Sequence, residues 1–288
     1  MRKFAFVFIL LILFSGCSTA ADTPQITATT LPVYEFTTAL CQDTDITVSQ
    51  LVTDNVSCLH DYTLQVDQMR MIEGAEIVIL SGAGLEAFLE DALSSAEAVI
   101  DASEGIHQHH AEHSHHDNRE HGHENDPHIW LSPENAKIMA CNIYAGLCKA
   151  YPEYTCVFTN NLDNLLIALD TLDAYGKQEL SALSCRNLIT FHDGFAYFAE
   201  SFDLTILRAV EEESGSEASA SELKELISLV EAHHLPAVFT ERNGSASAAG
   251  VISAETGTAV YALDMAMSGN SYFEAMYHNI DTIKEALG

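Results

Sequence analysis

Short runs rich in β-branched and aliphatic residues recur along this chain with helix-length stretches between them, and the pattern occurs twice. In the first half the runs are Ile26 to Leu31, Ile46 to Val52, Glu76 to Leu80 and Ala98 to Ile100. In the second half they are Leu188 to Phe191, Leu204 to Leu207, Ala237 to Thr240 and Ala259 to Leu263. Strands alternating with helices at this spacing argue for parallel sheets covered by helices. Four strands on each side predict an α/β fold of two lobes, each built on a central parallel four-stranded sheet.

Between the halves, Glu153 to Leu183 contains no proline and places Leu162, Leu165, Leu166, Leu169, Leu172 and Leu180 mostly three to four residues apart. That spacing predicts one long amphipathic helix, a rigid connector over residues 153–184. Ser132-Pro133 ahead of Glu134 reads as an N-cap followed by proline in the first turn of another helix. The first lobe then spans 26–152 and the second 185–288.

The N-terminus has the layout of an export signal. Arg2 and Lys3 precede the uninterrupted apolar run Phe4 to Phe14, which is shorter than the ~20 residues a helix needs to cross a bilayer. Phe14-Ser15-Gly16-Cys17 resembles a lipoprotein processing site, in which Cys17 is diacylated after removal of residues 1–16. Small and polar residues then make 17–25 a tether. The expected location is extracytoplasmic, on a bacterial membrane but not across it.

The chain has 42 acidic against 12 basic residues and a net charge of -30. So acidic a surface repels nucleic acid and attracts cations. Of seven cysteines, lipid at Cys17 leaves six, an even number suited to disulfides in an exported chain. Cys41 with Cys58 would close a short local loop. The cysteine spacing does not match a thiolate zinc cluster.

Fourteen histidines fall into three groups. His107, His109, His110, His113, His115, His116, His121 and His123 form an acidic, histidine-rich tract inside a loop over 104–126. Its His109-His110-Ala111-Glu112-His113 formally matches a metalloprotease pattern, but nothing holds it on a helix in a dry cleft. His233 and His234 end a predicted helix over Ser221 to Ala232, and His278 lies on the last helix. His60, His128 and His192 instead follow strands, and Asp264 ends the last one. Ligands of parallel α/β sheets bind beyond the carboxyl ends of strands, where two facing lobes can share a site. Three imidazoles and a carboxylate suit tetrahedral zinc. No nucleophile–base constellation supports an enzyme. Asp61 and Asp193, adjacent to two of these histidines, are candidates to orient them.

Four stretches carry a resemblance: Cys58-Leu59-His60-Asp61-Tyr62, Ile77 to Glu86 (IVILSGAGLE), Asp126-Pro127-His128-Ile129-Trp130-Leu131-Ser132-Pro133, and Phe191-His192-Asp193-Gly194-Phe195-Ala196-Tyr197-Phe198. Together with Leu263-Asp264 they resemble the zinc-specific branch of the cluster A-I solute-binding proteins of ABC transporters. The resemblance implies two α/β lobes joined by a long rigid helix, with metal in the cleft between them. His60 and His128 would be ligands from the first lobe, and His192 and Asp264 from the second. Zn2+ is then the cargo. Mn2+ is less favoured, because manganese-specific relatives have glutamate where this chain has His192. The implied partners are a membrane permease and its cytoplasmic ATPase, with this chain acting as a monomer. The histidine tract would hold additional zinc. The alternative role is that of a metal-binding surface adhesin.

Overall fold

The computed structural model describes residues 24–54, 59, 62–109, 125–210 and 218–288. The leader 1–16, Cys17, Cys58, His60, Asp61 and tract residues His110, His113, His115, His116, His121 and His123 lie outside the described residues.

The first half runs β1 (Ile26–Ala28), α1 (Leu31–Leu40), β2 (Val48–Gln50), α2 (Val66–Gly74), β3 (Ile77–Leu80), α3 (Glu90–Leu93), β4 (Val99–Asp101) and α4 (Pro133–Ala150). A 25-residue helix, α5 (Thr155–Glu179), follows. The second half runs β5 (Asn187–Thr190), α6 (Ala196–Ser201), β6 (Thr205–Ala209), α7 (Ala220–His233), β7 (Ala237–Glu241), α8 (Ser247–Thr256), β8 (Ala259–Leu263) and α9 (Tyr272–Leu287). The strands form two four-stranded parallel sheets, ordered β2-β1-β3-β4 and β6-β5-β7-β8. The two orders are the same permutation, so each lobe repeats one winding. The first three residues of β3 and all five of β7 are buried, as expected of strands covered on both faces.

The expected N-cap at Ser132 forms: its hydroxyl accepts from the Asn135 backbone N–H, with Pro133 in the first turn. The connector is shorter than the sequence predicts. Pro152 opens a separate 3-10 turn over Pro152–Tyr154, so α5 starts at Thr155 and ends at Glu179. Its buried positions Phe158, Leu165, Leu169, Leu172 and Gly176 form a stripe, each large one stabilising the fold by about 1.5–3 kcal/mol. It packs on α1 and α4 of the first lobe and on α9 of the second. Gly176 is required by space, since a Cβ there would stand 2.2 Å from Phe202 Cε1.

Hydrogen bonds tie the lobes beside this helix. Glu35 on α1 accepts from Ser271 Oγ and from the Tyr272 backbone N–H, so a carboxylate of the first lobe caps the positive end of α9 in the second. Burial raises the pKa of Glu35. The Leu31 N–H donates to the Met267 carbonyl at 3.3 Å. Trp130 Nε1 donates to the Met265 carbonyl at 2.8 Å, and Tyr272 OH donates to the Trp130 carbonyl at 2.9 Å.

In such sheets, the order reverses beside the first strand of each lobe, and that crevice is the usual ligand position. In the first lobe the chain fills it with its own Glu86. This carboxylate accepts from Thr29 Oγ1 at 2.6 Å, the Ser81 N–H at 2.7 Å and the Gly82 N–H at 3.0 Å. Burial outweighs these bonds and pushes its pKa up to about 7. In the second lobe the crevice holds a histidine.

Candidate metal centre

His192 follows β5, and His128 precedes the 3-10 turn Ile129–Leu131 that leads into α4. The two rings, one from each half of the chain, meet edge to face with centroids 5.0 Å apart. Their Nε2 atoms stand 3.3 Å apart.

Each ring is held from behind by a carboxylate. His128, 1% exposed, has Nδ1 2.8 Å from Asp126 Oδ1, which also accepts from the His128 backbone N–H at 2.9 Å. His192 has Nδ1 2.9 Å from Glu241 Oε1 at the end of β7. A neutral ring whose Nδ1–H donates to such a carboxylate presents its Nε2 lone pair forward. At 3.3 Å the two Nε2 atoms either share a proton or hold a metal cation between them. Two nitrogens each about 2.0–2.1 Å from a tetrahedral zinc are about 3.3–3.4 Å apart. The observed separation matches that spacing. Asp126 Oδ2 is buried without a hydrogen-bond partner, and such a carboxylate oxygen is costly unless positive charge is near.

The two rings differ electrostatically. Burial lowers the pKa of His128, against the pull of Asp126. Burial acts in the same sense on His192, but the hydrogen bond and charge of Glu241 outweigh it and raise that pKa.

Around the pair the packing is tight. A Cβ at Gly194 would lie 2.7 Å from His192 Cδ2, 2.7 Å from Met265 Cε and 2.9 Å from His128 Nδ1. Asp264, which follows β8, directs Oδ2 to Arg242 Nη1 at 2.8 Å and Oδ1 to the Ala266 N–H at 2.8 Å. The structure therefore brings His128 and His192 together and places Asp264 in an ion pair. His60 lies outside the described residues. Among the described residues no group of three or more His, Cys, Asp or Glu side chains is arranged to hold a metal ion.

The base of the histidine tract is fixed near this site. The Asp126 N–H donates to the His109 carbonyl at 2.9 Å, closing the loop two residues before His128. Tyr197 OH accepts from the His109 N–H and donates to the Asp126 carbonyl, both at 3.0 Å. His109 Nε2 lies 2.7 Å from Glu200 Oε2 of α6, and the His107 ring stacks edge to face on His109. His233 is the last residue of α7, and His234 caps it in the left-handed conformation. His278 lies within α9. Cys41 is buried, which pushes its thiol pKa up to about 12.

Sequence reasoning did not find Glu241 or the role of Asp126. It assigned orientation by adjacency, to Asp61 and Asp193. The charge of Asp193 raises the His192 pKa, and the contact with Nδ1 at 2.9 Å is made by Glu241. A signal was present: Glu241 ends a strand at the same edge of the sheet as the other site residues.

The fold is that of ZnuA: a crystal structure of ZnuA aligns with a TM-score of 0.80 and 29% identity, covering 93% of this chain and 100% of that one. Zinc-binding protein TroA of Treponema pallidum (strain Nichols) is 27% identical over 292 residues, covering 95% of this chain and 92% of TroA. Zinc-binding lipoprotein AdcA of Streptococcus pneumoniae (strain ATCC BAA-255 / R6) is 26% identical over 285 residues, covering 91% of this chain. The chain spans only 55% of the length of AdcA. Residues 26–286 match the family model of ZnuA, the periplasmic zinc-uptake complex component A, and the chain belongs to that family.

Proposed function

We propose that this chain is the extracytoplasmic zinc-capturing component of an ABC transporter, which binds Zn2+ in the cleft between its lobes and passes it to the membrane permease driven by a cytoplasmic ATPase. The observation that carries this reading is the pair of Nε2 atoms at 3.3 Å, each ring backed by a buried carboxylate. His60, His128 and His192 supply the imidazoles, and Asp264 is the fourth residue of the set. Closed coordination of this kind leaves no activated water, as befits a carrier.

Residues 26–152 and 185–288 act as the two lobes and 153–184 as their connector. A lipid at Cys17 holds the monomer to the membrane through residues 17–25, a reading supported by the leader pattern. Histidines of the tract, from His107 to His123, hold further zinc weakly and raise its concentration beside the cleft. The attachment of the tract base next to His128 supports that role.

Deletion of the gene should abolish growth under zinc limitation. The wild-type chain should restore it, and a His128→Ala/His192→Ala chain should not. Normal zinc-limited growth in the deletion strain, with host-surface binding lost, would favour the adhesin role instead.

A further inference from the structure

The two imidazoles are held in unlike ways. Glu241, behind His192, is the last residue of β7 and is placed by the sheet of its own lobe. Asp126, behind His128, lies outside any helix or strand. Among the described residues its carboxylate has no anchor of its own: Oδ1 meets the backbone N–H and ring of His128, and Oδ2 is buried without a hydrogen-bond partner. What positions this carboxylate is therefore the backbone of Asp126. Its N–H donates to the His109 carbonyl in the first lobe, and its carbonyl accepts from the Tyr197 hydroxyl of α6 in the second.

Tyr197 is built for that contact. It is 2% exposed, and its one hydroxyl donates to Asp126 while accepting from the His109 N–H, which uses both capacities of a phenol. Its ring packs on the His109 imidazole with centroids 4.6 Å apart. One turn further along α6, Glu200 meets Nε2 of the same imidazole.

We propose that Tyr197 is a positioning residue for zinc capture, fixing Asp126 from the opposite lobe, and through it the His128 ring, so that both imidazoles are aimed only while the lobes are closed. The proposal rests on the cleft being the zinc site. When the lobes part, His192 keeps its carboxylate and His128 loses the far support of its own. Zinc enters against one aimed ring and is held by two after closure.

Tyr197→Phe removes one oxygen and keeps the ring on His109. Uptake begins in the open state, where the Tyr197–Asp126 bond is absent, so the association rate should stay within about twofold of wild type. Release begins in the closed state, so dissociation should speed up about tenfold, the lower end of what losing an outer-shell partner of a metal-binding histidine costs. The test is stopped-flow loading with Zn2+ and chelator-driven release from the purified protein, in wild type, Tyr197→Phe, Asp126→Ala and the double variant, with thermal melts confirming the fold.

Asp126→Ala keeps the backbone that Tyr197 grips and removes the carboxylate through which it acts. In that background Tyr197→Phe should change the release rate by less than about threefold, whereas a hydroxyl with a merely structural role would act equally in both backgrounds. An unchanged release rate in Tyr197→Phe overturns the proposal, and so does a tenfold effect that persists in Asp126→Ala. Wild-type zinc affinity in a His128→Ala/His192→Ala chain would instead overturn the assignment of the cleft itself.

Discussion

Replacing Gly194 with alanine is expected to lower zinc affinity about 100-fold, the upper end of what loss of ligand orientation costs, while the protein stays folded. The residue sits in the turn between β5 and α6. An added Cβ would fall within 3 Å of both imidazoles and the Met265 methyl group. Contacts that short force something to move. The movable groups here are the Met265 side chain and the two rings, since the turn is tied to β5 and α6, and moving Met265 alone leaves both ring contacts unrelieved. Any shift that accommodates the methyl spoils the 3.3 Å approach of the Nε2 atoms. Competition titration and a thermal melt on the same sample check both halves. Wild-type zinc affinity in Gly194→Ala would mean that these rings are not the donors.

Trp130→Ala should cost about 3–5 kcal/mol of stability, in the range for truncating a large buried aromatic. Trp130 is fully buried on the 3-10 turn that follows His128, and its ring meets the His128 ring edge to face at 5.4 Å. Its indole N–H reaches the carbonyl of Met265, across from the first half of the chain to the second, and its own carbonyl receives the Tyr272 hydroxyl. Truncation leaves a cavity where the lobes meet and strands the Met265 carbonyl. Trp130→Phe should cost less, because it keeps most of the volume and loses the hydrogen bond. Trp130 is the only tryptophan of the chain, so urea unfolding is followed by far-ultraviolet circular dichroism. A loss below about 1 kcal/mol would show that the indole is not a keystone of the interface.

Much of this architecture can be read from local pattern. The eight apolar runs became eight strands because a buried parallel strand needs only a short β-branched stretch, and such a stretch is visible without its partners. Ser132 was legible as a cap because capping is settled within three residues. The connector was overextended mainly at its end, because Leu180 continues the apolar spacing and is buried, yet it already stands just past α5 as the capping residue. At its start the misfit is two residues, taken up by the 3-10 turn Pro152–Tyr154.

The features around the histidines were less legible, because they depend on pairings distant in sequence. Glu241 meets His192 from 49 residues away, and the predicted strand ended one residue short of it. Arg242 and Asp264 are joined only because β7 and β8 are neighbours in register. Glu86, quoted within a motif, turned out to fill the crevice of the first lobe because its glycine-containing turn folds it back onto Thr29 and Ser81. Identity of residue type was enough to nominate His128 and His192. Tertiary structure was needed to find what holds them.

The central claim is that imidazoles from both lobes capture one zinc ion. Zinc K-edge X-ray absorption, recorded on the protein loaded with one equivalent and on His192→Ala loaded equally, tests it directly. The account predicts nitrogen and oxygen donors at about 2.0–2.1 Å with scattering from three imidazoles, falling to two in the variant. A sulfur shell at about 2.3 Å, or a spectrum unchanged by the loss of His192, would contradict it.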